Sequence, residues 1–186
     1  MYRRIFSAAI VAAALLIAYG CGSGSGSDSV RSGTHGASPV HAADGVVGAN
    51  GLRTVSYHGV EFDVPADWPV YDLAADPTTC VRFDQHAVFL GQPGANMSCP
   101  ATVIGRAEAV LVEPVDDAST SDVAAASAPV TATSVNGLQA QVADGGTVTN
   151  EVEAKFPTAG VSATLTYQDS ASTAQQILQS FRAVAR

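Results

Sequence analysis

The chain has 186 residues, 47% of them hydrophobic, so it can bury a core, and a disordered tail is excluded. Only 14% are charged, with 9 Lys and Arg against 17 Asp and Glu, for a formal net charge of −8. That balance argues against a phosphate-binding surface and hence against a nucleic-acid partner, and it excludes a coiled coil or a basic membrane-surface helix.

The first segment is Met1-Tyr2-Arg3-Arg4, short and positive, followed by an apolar run from Ile5 to Ile17. A helix of that length spans about 20 Å against the ~30 Å of a bilayer's hydrocarbon core, which predicts a secretory signal rather than a permanent transmembrane helix. The run ends in Ile17-Ala18-Tyr19-Gly20-Cys21. This resembles a bacterial lipoprotein signal, although Ala18 stands where that family usually has Leu. The resemblance implies that residues 1–20 are removed and that Cys21 becomes the first mature residue and carries acyl chains. Several such chains, at about 0.8 kcal/mol per buried CH₂, would hold the protein on the extracytoplasmic face of the cell membrane. The alternative is ordinary cleavage nearby, leaving Cys21 as a free thiol.

Residues 21–51 are rich in Gly, Ser and Ala and hold eight of the 17 glycines, with no apolar periodicity. They read as a flexible tether with a mean reach of about 30 Å. Gly22-Ser23-Gly24-Ser25-Gly26 has glycine rather than serine at its centre, so it does not spell the G-x-S-x-G of a nucleophile elbow, which besides needs a strand before it and a helix after it. His35 and His41 on this tether read as solvated side chains rather than metal ligands.

With Cys21 assigned to the anchor, Cys80 and Cys99 remain as an even pair with no C-x-x-C. In an oxidising compartment they predict a disulfide closing a loop of about 20 residues.

A folded domain is expected over residues 52–186. From Arg53 onward it carries 15 acidic and 6 basic residues, a net of −9. Val55 and Tyr57, then Val60, Phe62 and Val64, alternate with polar residues around a His58-Gly59 turn, and Pro65 ends the run. Ala109-Val110-Leu111-Val112 lacks alternation and predicts a central strand buried on both faces. Residues 115–129 lack periodicity and read as a mobile loop, or alternatively as a linker between two modules. Val130 to Val135 and Leu138 to Val142 flank Asn136-Gly137, a strong hairpin signal. Val148 to Phe156 and Val161 to Tyr167 alternate as two more strands, joined by Pro157-Thr158-Ala159-Gly160. Ile177, Leu178, Phe181 and Val184 recur at helical spacing, with Ser172 and Gln175 as a capping box. The expected fold is therefore α+β, an antiparallel sheet packed by a C-terminal helix and stapled by one disulfide.

Two stretches carry a family resemblance. They are Val55-Ser56-Tyr57-His58-Gly59-Val60-Glu61-Phe62-Asp63-Val64-Pro65-Ala66-Asp67-Trp68-Pro69-Val70 and Cys80-Val81-Arg82-Phe83-Asp84-Gln85-His86-Ala87-Val88-Phe89-Leu90-Gly91. With Pro93-Gly94, Cys99-Pro100 and the Glu108 to Val112 run, they resemble a module of unassigned function in secreted proteins and lipoproteins of high-GC Gram-positive bacteria. There it precedes a glycoside-hydrolase-like barrel in several proteins. No barrel is expected in this chain, so the resemblance implies no catalytic residues here. The V-P-x-x-W opening and the Ile177 to Arg182 ending also resemble the PsbP/Mog1-type α+β fold, a likeness of fold alone.

On a strand, Arg82, Asp84 and His86 would share one face, with Val81, Phe83, Ala87 and Phe89 on the other. A carboxylate between a guanidinium and an imidazole can fix a histidine tautomer for acid–base work, and can equally be a salt-bridged outer face or a register-setting network. Trp68 is either an exposed platform for glycan or peptidoglycan or a core tryptophan closing the first hairpin. No metal-ligand spacing is found: Asp116, Asp117 and Asp122 lack the glycine and spacing of a calcium loop. No cofactor motif is found either. The expected role is a membrane-anchored accessory module that binds a cell-wall polymer or an envelope protein. The alternative is a small extracytoplasmic hydrolase using His86 and Asp84, with Ser98 or a water as nucleophile.

Overall fold

The computed structural model describes residues 48–101, 105–115 and 128–185. Residues 1–47, with the expected leader, Cys21, His35, His41 and most of the expected tether, and residues 116–127 of the expected 115–129 loop lie outside the described residues.

Among the described residues ten strands and two α-helices follow in chain order: β1 (Leu52–Tyr57), β2 (Val60–Pro65), β3 (Val70–Asp72), β4 (Ala87–Leu90), β5 (Ala109–Pro114), β6 (Val130–Val135), β7 (Leu138–Asp144), a single turn α1 (Gly146–Thr149), β8 (Glu151–Phe156), β9 (Val161–Thr166), α2 (Ser172–Ser180) and β10 (Arg182–Ala183). They form a three-stranded sheet, β1-β2-β10, and a seven-stranded sheet, β3-β4-β5-β9-β8-β7-β6.

Two hairpins are set by their turns. His58 and Gly59, with φ of 46° and 81°, pair Tyr57 with Val60, and Asn136 and Gly137, with φ of 45° and 85°, pair Val135 with Leu138. Two successive positive φ values define the type I′ turn, whose twist matches that of the strands it joins.

The α+β architecture agrees with expectation, and most of its strand pairs are antiparallel. Two are not. β3 runs parallel to β4, and β4 parallel to β5. The reason lies in burial: parallel strands need long crossovers and are covered on both faces. Val88, Leu90, Val110 and Val112 enter the main core, whereas Ala87, Phe89 and Leu111 join Leu73 in a second, smaller core on the opposite face. The expected doubly buried strand at Ala109–Val112 is thus present, and β4 is a second one.

The main core is sealed from above by α2, whose Ala174, Ile177 and Leu178 are buried at helical spacing. The helix is shorter than its apolar spacing predicts. It ends at Ser180, and Phe181 turns out of it with φ −59° and ψ 133°. Arg182 and Ala183 then pair with Glu61 and Val60 of β2, and Val184 is exposed. The tertiary pull is aromatic: Phe181 is fully buried, stacked at 4.6 Å on Phe62 and 5.0 Å on Phe156. The expected capping box is also absent. Ala171 occupies the N-cap and makes no side-chain cap bond, and the Ser172 N–H donates to Ser170 Oγ at 3.2 Å.

The C-terminal strand is locked by one cation. Arg182 donates to Asp63 Oδ2 at 3.0 Å, to Asp63 Oδ1 at 3.2 Å and to Ser180 O at 3.1 Å, and lies 3.4 Å from Glu61. Burial opposes ionisation of Asp63, and hydrogen bonds from Arg182 and Thr54 overcome it and hold the carboxyl below its ordinary range.

Candidate functional site

Cys80 and Cys99 are disulfide-bonded, with Cα atoms 4.9 Å apart. The bond fastens the β3–β4 crossover, whose Val81 and Phe83 pack on the second core. The crossover is held further by the Ser98 N–H donating to Thr78 O at 2.9 Å and the Ala107 N–H donating to Phe83 O at 2.7 Å. This staple and lid arrangement explains why an exposed-looking loop carries Val81 and Phe83 at all.

The shared face expected for Arg82, Asp84 and His86 does not form. Residues 81–82 are irregular, 83–86 are turn and bend, and the strand starts only at Ala87. Loss of strand geometry removes the alternation that placed the three side chains together. Arg82 instead forks onto Asp84, Nε to Oδ1 at 3.0 Å and Nη2 to Oδ2 at 2.6 Å. Hydrogen bonding from Arg82 lowers the Asp84 carboxyl and reciprocally raises the guanidinium.

His86 has other neighbours. Its ring stacks on Trp68 at 5.4 Å, and Nδ1 lies 3.1 Å from Glu108 O and 3.4 Å from Glu108 Oε2. Trp68 itself is 6% exposed and belongs to the main core, so the exposed platform reading fails and the core reading holds. Trp68 O accepts from the Arg53 guanidinium, which ties β1 to the entry of β3. The His86–Asp84 pairing that a hydrolase would use is not among the contacts of either residue, and Ser98 is engaged through its backbone at Thr78. Among the described residues no group of three or more His, Cys, Asp or Glu is placed to hold a metal ion, and no helix is long and apolar enough to cross a membrane.

A concavity that sequence reasoning missed lies at the far edge of the large sheet. β6 ends the strand order and, among the described residues, pairs only with β7. Val130 to Ser134 are exposed, and Val135 is partly buried. Between β6 and α2 is a groove of about 510 Å³, within the size range of ligand sites. Thr131, Thr133 and Val135 line it from β6, Val142 and Asp144 from β7, and Leu178 from α2. The walls are held apart at one end by Asn136, whose Nδ2 donates to Gln179 O at 2.6 Å and Phe181 O at 3.0 Å. Asp144 stands on the same wall as Val142, and its Oδ1 accepts from the Gly146 N–H at 2.8 Å. The signal for this site was present in Val130-Thr131-Ala132-Thr133-Ser134-Val135: six residues without a charge or a proline beside a tight turn. What the string of letters lacked was the fact that the strand is an edge.

No family model, curated protein or solved structure matches this chain.

Proposed function

We propose that the protein is a lipid-anchored, extracytoplasmic binding module of the cell envelope, held to the bilayer through acylated Cys21 and carried on the residue 21–51 tether. The observation that carries this reading is the Cys80–Cys99 bond. Disulfides persist in oxidising compartments and are rare where thiols are kept reduced, so the bond agrees with a chain that opens on a signal-like apolar run ending in cysteine. The module acts by binding rather than by chemistry: Arg82 and Asp84 are spent on each other, His86 is engaged by Trp68 and Glu108, and Trp68 is buried in the main core, whereas the β6–α2 groove is open.

The test is fractionation of the full chain from a producing bacterium, with metabolic labelling by a palmitate analogue and peptide mass spectrometry without reduction. The expected result is a membrane-fraction protein beginning at a modified Cys21, with Cys80 and Cys99 linked. Recovery from the cytosol with Met1 in place and both thiols free overturns the proposal, and so does an unmodified Cys21 in a soluble exported form.

A further inference from the structure

We propose that β6 is a docking edge for an extended segment of a partner polypeptide, which adds to the large sheet as an eighth strand and places a Lys or Arg against Asp144. The inference rests on the reading of the protein as a binding module and names what that module binds: an envelope protein through its backbone, not a wall polymer.

The first argument is hydrogen bonding. The tight turn makes Val135 and Leu138 the hydrogen-bonded pair that closes the hairpin, and pairs alternate along an antiparallel ladder. Thr131, Thr133 and Val135 therefore spend their N–H and C=O groups on β7. Val130, Ala132 and Ser134 direct theirs outward, where the strand has no neighbour among the described residues. Added strands take affinity from such main-chain groups and specificity from alternate side-chain pockets.

The second argument is the lack of protection. Sheet edges are ordinarily blunted by charge, proline, bulges or brevity. β3 at the opposite edge has three residues, β10 has two, and β1 carries Arg53. β6 has six residues with neither charge nor proline and meets β7 in unbroken register from Val130 to Val135.

The third argument selects the occupant. The groove lies on the face of the sheet to which Thr131, Thr133 and Val135 point, so an added strand would present every second side chain to Leu178 and Val142. Among the described residues Asp144 is the charged one of its lining, fixed by the Gly146 N–H. A second copy of this chain is the wrong partner. Its own β6 would bring no cation to Asp144, and each copy carries 15 acidic against 6 basic residues beyond Leu52, so the copies repel. A cationic segment is attracted by the same field.

The experiment uses the purified full chain in detergent and a synthetic probe, acetyl-Lys-Thr-Val-Thr-Val-Thr-amide, with a Glu-for-Lys version as control. The expected result is saturable binding with a dissociation constant below ~1 mM. Amide shifts should centre on residues 130–135 and 178–179, and the Glu peptide should bind about fivefold more weakly. Ala132→Pro, which removes an outward donor and leaves the β7 ladder intact, should abolish binding without loss of cooperative melting. Asp144→Asn keeps the Gly146 contact and should erase the Lys-over-Glu preference. If Ala132→Pro does not fold, the shift map on the unaltered chain and Asp144→Asn decide the matter. The proposal is overturned by the absence of saturation, by shifts centred elsewhere, or by a β6-dependent dimer in sedimentation. Failure here leaves the Cys21 anchor untouched, and a cytosolic protein with Met1 in place would overturn the anchor while leaving peptide binding as measured.

Discussion

Phe181 is the residue on which the closure of the fold turns. It is fully buried, stacks on Phe62 at 4.6 Å and Phe156 at 5.0 Å, and redirects the chain from α2 into β10. Removing its ring forfeits about 2 to 3 kcal/mol of apolar burial. The space left behind, at about 24 cal/mol per Å³ of residual cavity, adds to that, so Phe181→Ala should cost about 4 kcal/mol. For a domain of this size the thermal midpoint should fall by on the order of 12 °C. Urea titration followed by far-UV circular dichroism measures the free energy directly. Phe181→Leu, which keeps most of the volume, should cost about 1.5 kcal/mol, and a double-mutant cycle with Phe62→Leu should return a coupling of about 1 kcal/mol from the stack. A loss below about 1 kcal/mol for the alanine variant, with β10 still in place, would refute the idea that the aromatic cluster holds the C-terminal turn.

Reduction of Cys80–Cys99 should lower stability by about 3 kcal/mol, on the chain-entropy account for a sequence separation of 19; an unchanged midpoint in dithiothreitol contradicts this. Asp63 has a depressed carboxyl in the folded state, so its contribution is present above the unfolded value and is lost as pH falls through the folded one; stability should drop on acidification below about pH 4, and Asp63→Asn should flatten that limb. Glu113 is shifted the other way, upward by burial, so its contribution is complete below the unfolded value and is lost as pH rises through the folded one. Glu113→Gln should therefore stabilise the protein at pH 7 and change nothing near pH 3; equal effects at both would show that charge burial is not the cause. Asn136→Gly keeps the left-handed turn and deletes two hydrogen bonds to the end of α2, which should cost about 1–2 kcal/mol and broaden the amide resonances that line the groove.

Much of this architecture is legible before any coordinates. Strict alternation marks β2 and β9, the Asn136-Gly137 dipeptide marks its hairpin, and the apolar run at Ala109–Val112 marks a strand covered twice. Those signals are local: each depends on residues a few positions apart. The errors have one source. Residues 81–86 alternate as well as any strand, yet they are irregular and end in a turn and bend over 83–86, because Cys99 holds Cys80 and the second core claims Val81 and Phe83 from outside the segment. The helical spacing of Phe181 and Val184 is overruled in the same way by Phe62 and Phe156.

By itself, then, the amino-acid string determined the class of fold, the pairing of Cys80 with Cys99, the hairpin turns and the acidity of the domain, since composition, period and turn chemistry are properties of short windows. Tertiary structure alone decided that β3, β4 and β5 run parallel, that His86 rests on Trp68 and Glu108 rather than beside Asp84, and that β6 stands at the edge of the large sheet next to a groove. Strand order and exposure depend on which distant segments meet, and no short window carries that information.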